Sequence, residues 1–493
     1  MDFFLHMQVH YYHFFYPKII ISHKLRLPFY NSIKIFLKLY FIRMNLNFKK
    51  YFKVKQMKRK YFLAIILLAL SATTLFINND EIKQATINTT KFDTGDTAWM
   101  IVASALVLLM TPGLGFFYGG MVGKKNVIST MLQSFMAMVI VSILWVIIGF
   151  GLSFGESIYG IIGNPSKNIF FNNVGINNSW ELAPTIPLLL FALFQAKFAI
   201  ITPALITGAF AERIRFWAYL LFMVLFIIFI YTPLAHCTWH PNGIFFKMGI
   251  LDFAGGIVVH MSAGWAALAG AMFLGKRKNQ KTSPARITYV LLGTGLLWFG
   301  WFGFNAGSAL GANGLAVQAL STTTIAAASA SMAWVFWDKI LGHKISAMGA
   351  CIGAVVGLVA ITPAAGYVSM PHAIFIGIFS SIISNIVVLN FPKGKIDDAL
   401  DVFGCHGVGG MVGMLLTAVF ASKAINPAIE NQGLFFGETK LFINHVIVLI
   451  LVSVFSFVMS YFLFYLVNKI TPLRVSSEKE ELGLDITQHG EFL

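Results

Sequence analysis

From about residue 97 to residue 468, long apolar runs alternate with short breaks of polar residues, Gly and Pro. Eleven runs are of roughly 18 residues or more, the length a helix needs to cross the hydrocarbon core of a bilayer. They span about 97–120, 127–153, 185–210, 216–237, 253–274, 287–307, 319–337, 346–363, 371–391, 401–422 and 441–468. The pattern predicts an all-α integral membrane protein with eleven transmembrane helices, because only helices satisfy every backbone donor and acceptor segment by segment in lipid. Eleven divides into five, five and one, and an odd repeat unit inserts its two copies with opposite topology, so the expectation is a 5+5 inverted repeat plus one long C-terminal helix.

Loop charge sets the expected orientation. With the first span running outside to inside, the inner loops and tail hold sixteen Lys and Arg and the outer loops four, which places the N-terminal end of the core outside and the C-terminus inside. The expected organisation is a transmembrane domain over 94–470 and a cytoplasmic tail over 471–493.

Composition agrees: 57% of the 493 residues are apolar and 11% charged, far from the quarter or so charged in soluble domains. The net charge of +16 does not indicate nucleic acid. Residues 1–60 hold 13 bases and one acid, Asp2, and the other 433 residues carry only +4. Within that basic block, Met57-Lys-Arg-Lys60, the apolar run 61–70 and Ser71-Ala72 read as the n-region, h-region and small-residue cleavage site of a signal sequence. We therefore expect translation to start at Met57, residues 1–56 to be a non-native upstream extension, and 57–75 to be a signal that exports the start of the core. An uncleaved signal anchor is the alternative. Cys237, Cys351 and Cys405 are widely spaced and suggest neither a disulfide framework nor a zinc site.

At or inside the spans stand two carboxylates, Asp252 and Asp401, each opening a span that reaches a histidine, His260 in the fifth and His406 in the tenth. Asp252 reads as a helix cap, as a negative field for an arriving cation, or as both; Asp401 reads as a cap. A single buried histidine is commonly a satisfied core residue. Two at matching places in inverted halves would meet near the midplane, where such transporters place their sites, and neutral imidazoles there offer hydrogen bonds in an apolar tube. Three segments bring aromatics and a hydroxyl to the outer side: Phe194-Gln-Ala-Lys-Phe198, Trp239 in the loop after the fourth span, and Trp301-Phe-Gly-Phe304-Asn-Ala-Gly-Ser308. That set suits a small cation held by ring faces and equally an interfacial aromatic belt. Gly349, Gly353 and Gly357, and Gly409 and Gly413, mark close helix contacts.

Several long motifs, in order, resemble the ammonium transporter, methylammonium permease and Rhesus family, closest to its bacterial ammonium transporter branch. They are Phe117-Tyr-Gly-Gly120, Gly208-Ala-Phe-Ala-Glu-Arg-Ile-Arg-Phe216, Leu251-Asp-Phe-Ala-Gly-Gly256 with Val258-Val-His260, Gly300-Trp-Phe-Gly-Phe-Asn-Ala-Gly-Ser308, Asp401-Val-Phe-Gly-Cys-His-Gly407, and Leu473-Arg-Val475 with Gly483-Leu-Asp485 and His489-Gly-Glu491. The resemblance covers residues of about 95 to 491. It implies an inner-membrane homotrimer with one pore per subunit, no cofactor, no enzyme activity, and ammonium or ammonia, and in some members methylammonium, as cargo. Phe198, Trp239 and Ser308 would form the outer recruitment site with Asp252 behind it. Phe198 and Phe304 would form the gate, His260 and His406 the twin-His pair, and Trp301 the pore wall. A PII-type regulatory protein would dock on the cytoplasmic face. Lys197, beside Phe198, departs from the small residue of many relatives and would weaken recruitment unless it snorkels away. The alternative reading is an ammonium sensor with little flux; a bis-His haem oxidoreductase on His260 and His406 would betray itself by a Soret band.

Overall fold

The computed structural model describes residues 68–69, 71–73, 92–280, 283–391 and 396–493. The chain forms two compact units, Met1–Asn78 and Asn79–Leu493. In the first, residues 68–69 and 71–73 are helical; the upstream extension and most of the signal sequence expected at 57–75 lie outside the described residues. The second unit carries the bundle.

Among the described residues, ten helices are long and apolar enough to cross a membrane, and an eleventh, shorter one joins them. In chain order these are α1 (Thr94–Met121), α2 (Lys124–Phe154), α3 (Leu188–Phe210), α4 (Phe216–Lys247, with a break after Trp239), α5 (Gly256–Leu274), α6 (Ile287–Ala306), α7 (Gly314–Ile340), α8 (Ala347–Ile361), α9 (Met370–Asn390), α10 (Phe403–Phe420) and α11 (Lys440–Ile470). Each matches an expected span. The helix starts follow from local chemistry: the side chains of Asp93, Asn313 and Ser346 accept from the backbone N–H groups of Asp96, Ala316 and Gly349 at 2.8, 3.0 and 2.9 Å, satisfying donors that a helix leaves free.

Small residues set the packing. A side chain on Gly353 or Gly357 would strike Trp334, Ala326 or Ala330 of α7, and one on Gly413 would strike Ala360 of α8, so the glycine repeats are helix contacts, as expected. The tightest approach joins α5 to α10, where a methyl on Gly264 would land on the backbone of Gly407.

One end of the bundle is a clamp of charged loops. Arg277 pairs with Asp397 at 2.9 Å and with Glu212 at 3.0 Å, both buried, and Glu212 also accepts from the Gly123 N–H at 2.7 Å. Fully buried Arg213 donates to the Asp397 carbonyl at 2.5 Å and the Ala209 carbonyl at 3.1 Å. Burial pushes the Asp397 carboxyl up, but the Arg277 guanidinium outweighs it and holds the group below the usual carboxylate range. The tail lies on the same loops. Arg474 donates to the carbonyls of Leu274 and Lys276 and pairs with Glu480 at 2.8 Å. Asp485 accepts from the N–H groups of Ile128 and Ser129 at 3.1 and 2.7 Å.

Candidate functional site

At the end of the bundle opposite the clamp, a cavity of about 250 Å³ is walled by Phe194, Gln195, Phe198, Trp239, Phe246, Asp252, Ser308, Tyr367 and Asn426, among others. Four expected residues meet here. The Trp239 indole N–H donates to the Asp252 carbonyl at 3.0 Å, and the Ser308 hydroxyl donates to the Phe304 carbonyl at 2.9 Å, which leaves the Ser308 oxygen lone pairs free to accept. Trp239 does not stand in a loop, as the pattern suggested; it is the last residue of the helical run Thr232–Trp239, whose continuation past the apolar stretch the hydropathy pattern does not register. Lys197 is half-buried and does not line the cavity.

Asp252 is buried, and its carboxylate accepts from the backbone N–H groups of Gly255, Gly256, Ile257 and Val258 at 2.9, 2.5, 2.8 and 3.4 Å. The cap reading of this residue therefore holds, and the cap of α5 is also a wall of the cavity. Gly255 makes the turn possible. Its φ is +118°, and a side chain there would collide with Val259, so only glycine lets the chain fold the cap over α5.

The floor of the cavity is aromatic. Phe198 and Phe304, both buried, lie with ring centroids 4.3 Å apart, and Phe194 and Trp239 flank Phe198 at 4.9 and 5.9 Å. No open space for an ion passes between rings at that separation without a rotamer change.

Below that floor His260 and His406 face each other, Nδ1 to Nδ1 at 3.4 Å with rings near parallel at 18°. One Nδ1 must donate and the other accept, so the pair holds one shared proton as neutral imidazoles. Trp301 and Phe304 cover His260 at 5.4 and 6.1 Å. The two histidines line a chamber of about 10 Å³ whose other walls are apolar, among them Leu114, Ile201, Val259, Leu297 and Val355; that is the room of about one water. His445 marks the contrast. Also fully buried in a helix, it ties one ring nitrogen to the Leu251 N–H and the other to the Met414 carbonyl. His260 Nε2 is buried with no partner among the described residues.

The wide turns of the backbone put these side chains here. Gly256–Met261, Phe302–Ala306 and Phe403–Val408 are π-helical, and they carry His260, Phe304 and His406. Such turns are inserted rarely and mostly at functional sites.

The structure adds a second acid at the start of α10: the Asp398 carboxylate accepts from the Phe403 N–H at 2.7 Å, and it stands eight residues before His406, as Asp252 stands eight before His260. Asp401 occupies a left-handed position, φ +54°. Asp398 was not brought forward by the pattern, since hydropathy marks where a span begins and not where the chain turns back to cap it. Three further residues escaped the sequence reading: Tyr367 and Asn426 in the cavity wall, and Thr362, which accepts from the Trp301 indole at 2.8 Å. Each is carried by a loop or helix end that folds over from elsewhere in the chain.

Residues 98–493 match the model of the Ammonium Transporter Family. An ammonium transporter of Aquifex aeolicus is 45% identical over 404 residues, 81% of this chain and 93% of that protein. An ammonium transporter of Bacillus subtilis is 45% identical over 401 residues, covering 80% and 98%. The crystal structure of Saccharomyces cerevisiae Mep2 superposes with a TM-score of 0.75 at 34% identity, covering 82% of this chain and 92% of that one. Family model, sequence relatives and shared architecture agree with the aromatic-floored cavity and the paired histidines, and this chain belongs to the ammonium transporter family as a multi-pass membrane protein.

Proposed function

We propose that the chain recruits ammonium in the large cavity, strips its proton and conducts ammonia past His260 and His406 into the cytoplasm. The observation that carries this reading is the succession of a polar cavity, a two-ring floor and a small apolar chamber lined by a histidine pair. Ammonium and potassium are nearly the same size, so width alone would not separate them. An apolar chamber makes every unpaired charge costly. Ammonium escapes that cost by giving up its proton, and potassium cannot.

Each residue then has a task. Trp239 and Phe198 present ring faces to the cation, Ser308 offers a lone pair, and the Asp252 carboxylate lowers the cation's energy from behind. Phe198 and Phe304 part to admit one molecule. Trp301 and the histidines guide ammonia, with a separate proton path in an electrogenic cycle. Sixteen basic residues on one side against four on the other support a cytoplasmic clamp and tail and an outward-facing cavity. The membrane is the cell's inner membrane, the assembly a homotrimer, and the charged clamp and tail the docking face for a PII-type regulator.

Current recordings on proteoliposomes given an ammonium pulse test this. The purified protein should carry an ammonium-dependent current or flux that potassium does not elicit, and His260→Ala or His406→Ala should abolish it or destroy its selectivity while assembly and thermal stability stay near wild type. Unchanged flux and selectivity in both variants would remove the histidines from the pore, and a wild type without flux would favour the sensor reading.

A further inference from the structure

We propose that Thr362 is a positioning residue for the pore: by accepting the Trp301 indole N–H it fixes the indole over His260 and removes the only donor Trp301 could offer to a passing molecule. The inference rests on the pore reading above.

Trp301 and Thr362 are both buried, at 1% and 0% exposure, and the Nε1–H donates to Oγ1 at 2.8 Å. The Thr362 hydroxyl spends its own proton on the Leu358 carbonyl at 2.7 Å, so its oxygen faces Trp301 purely as an acceptor. This pairing is selective. The indole N–H groups of Trp99, Trp265 and Trp337 are also buried and have no partner among the described residues, so the fold does not satisfy tryptophans as a matter of course. The bond ties α6 to the residue that closes α8, two helices of the same half.

Its consequence lies in the chamber. The Trp301 ring stands 5.4 Å from His260 at 19° and 5.5 Å from Phe304, and it shares the chamber wall with both histidines. With its N–H occupied, Trp301 shows the chamber only carbon. Ammonia then meets hydrogen-bonding groups at the histidines alone. Without Thr362 Oγ1, the indole would be free to turn its N–H inward. That would add a second station holding ammonia or water by its lone pair, and the stack over His260 would loosen.

Thr362→Val keeps the branched shape and removes the acceptor; Thr362→Ser keeps the acceptor. In proteoliposomes, Thr362→Val should lower maximal ammonium flux about tenfold, the factor that corresponds to roughly 1.4 kcal/mol, with the half-saturating ammonium concentration unchanged because the recruitment cavity contains neither residue. Thr362→Ser should restore flux to within about twofold of wild type. In a Trp301→Phe background, Thr362→Val should change nothing further. Wild-type flux from Thr362→Val, equal damage from Val and Ser, a shift in half-saturation in place of the maximum, or a Val effect that persists without Trp301 would each overturn the proposal while leaving the pore reading standing. A wild type that conducts no ammonium would overturn both. If the Val variant does not assemble, the ultraviolet resonance Raman difference between wild type and Trp301→Phe reads the bond directly: a hydrogen-bonded indole band supports the proposal and a free one refutes it.

Discussion

At the residue scale, the two capping carboxylates separate charge from packing. Asp252 satisfies four backbone donors beside the cavity. Asp252→Asn keeps an acceptor and loses the charge, so it should retain most of the thermal stability and lose much of the flux. Asp252→Ala should lose flux too and cost about 1–3 kcal/mol of stability, because buried N–H groups are left unpaired; normal transport by the Ala variant would show that the carboxylate has no part in conduction. Asp398, outside the membrane-spanning segments, is pushed up to about 7 by burial and by the nearby Asp401 carboxylate. A carboxyl raised in the folded state binds its proton more tightly there than in the unfolded chain. Its contribution is therefore most favourable below about pH 4 and is lost as pH rises toward about 7. Thermal midpoints measured across that window should fall less with rising pH in Asp398→Asn than in wild type, and parallel curves would argue against the shift.

At the element scale, α5 and α10 approach so closely that Gly264 and Gly407 leave no room for a methyl, and this contact is what brings His260 within 3.4 Å of His406. Gly264→Ala should push the helices apart, cost about 1–3 kcal/mol as overpacking does, and reduce ammonium flux as the pair widens. A stable Gly264→Ala protein with full flux would mean that the His–His distance is not critical. The positions of all eleven elements were readable from apolar run length, though not the continuation of α4 through Trp239, and the glycine repeats on α8 and α10 named real contacts. The approach of Gly264 to Gly407 was not readable, because one glycine in an apolar helix does not state its partner. Nor were the π-turns: they arise where tertiary contacts make a wider turn worthwhile, and no periodicity in one segment encodes that.

At the scale of the whole molecule, the tail ties loops of the first half to the α5–α6 link through Arg474, Glu480, Asp485 and Gln488, the last bonded to the Phe216 N–H and the Ile214 carbonyl. Deleting residues 474–493 should lower or deregulate flux while leaving the bundle folded, since the core helices pack chiefly on one another and the tail bonds to the start of α2, to other helix ends and to the loops. Proteoliposome flux together with the elution profile of the truncated protein checks this, and undiminished, normally regulated activity would count against it. At the other end, we propose that the native chain starts at Met57 with a cleaved signal over 57–75. Protein expressed from its own gene should then show a mature terminus near residues 70–75 by intact mass, and peptides from residues 1–56 would refute the start site.

Hydrophobic run length and loop charge by themselves determined the class of this protein, its spans and the side on which its bases gather, because a bilayer imposes one length and one polarity rule on every crossing segment. They also brought forward His260, His406, Phe198, Phe304 and Trp301, since polar or bulky residues at fixed places in glycine-rich runs stand out where neighbours are small and apolar. Tertiary structure alone decided that Asp398 caps α10, which hydroxyl holds Trp301, and that His445 is a satisfied core residue while His260 keeps a nitrogen without a partner among the described residues. Those distinctions depend on hydrogen-bond partners tens to nearly two hundred residues apart or on chain that turns back on itself, and a partner's identity becomes physical only when packing brings two groups within about 3 Å.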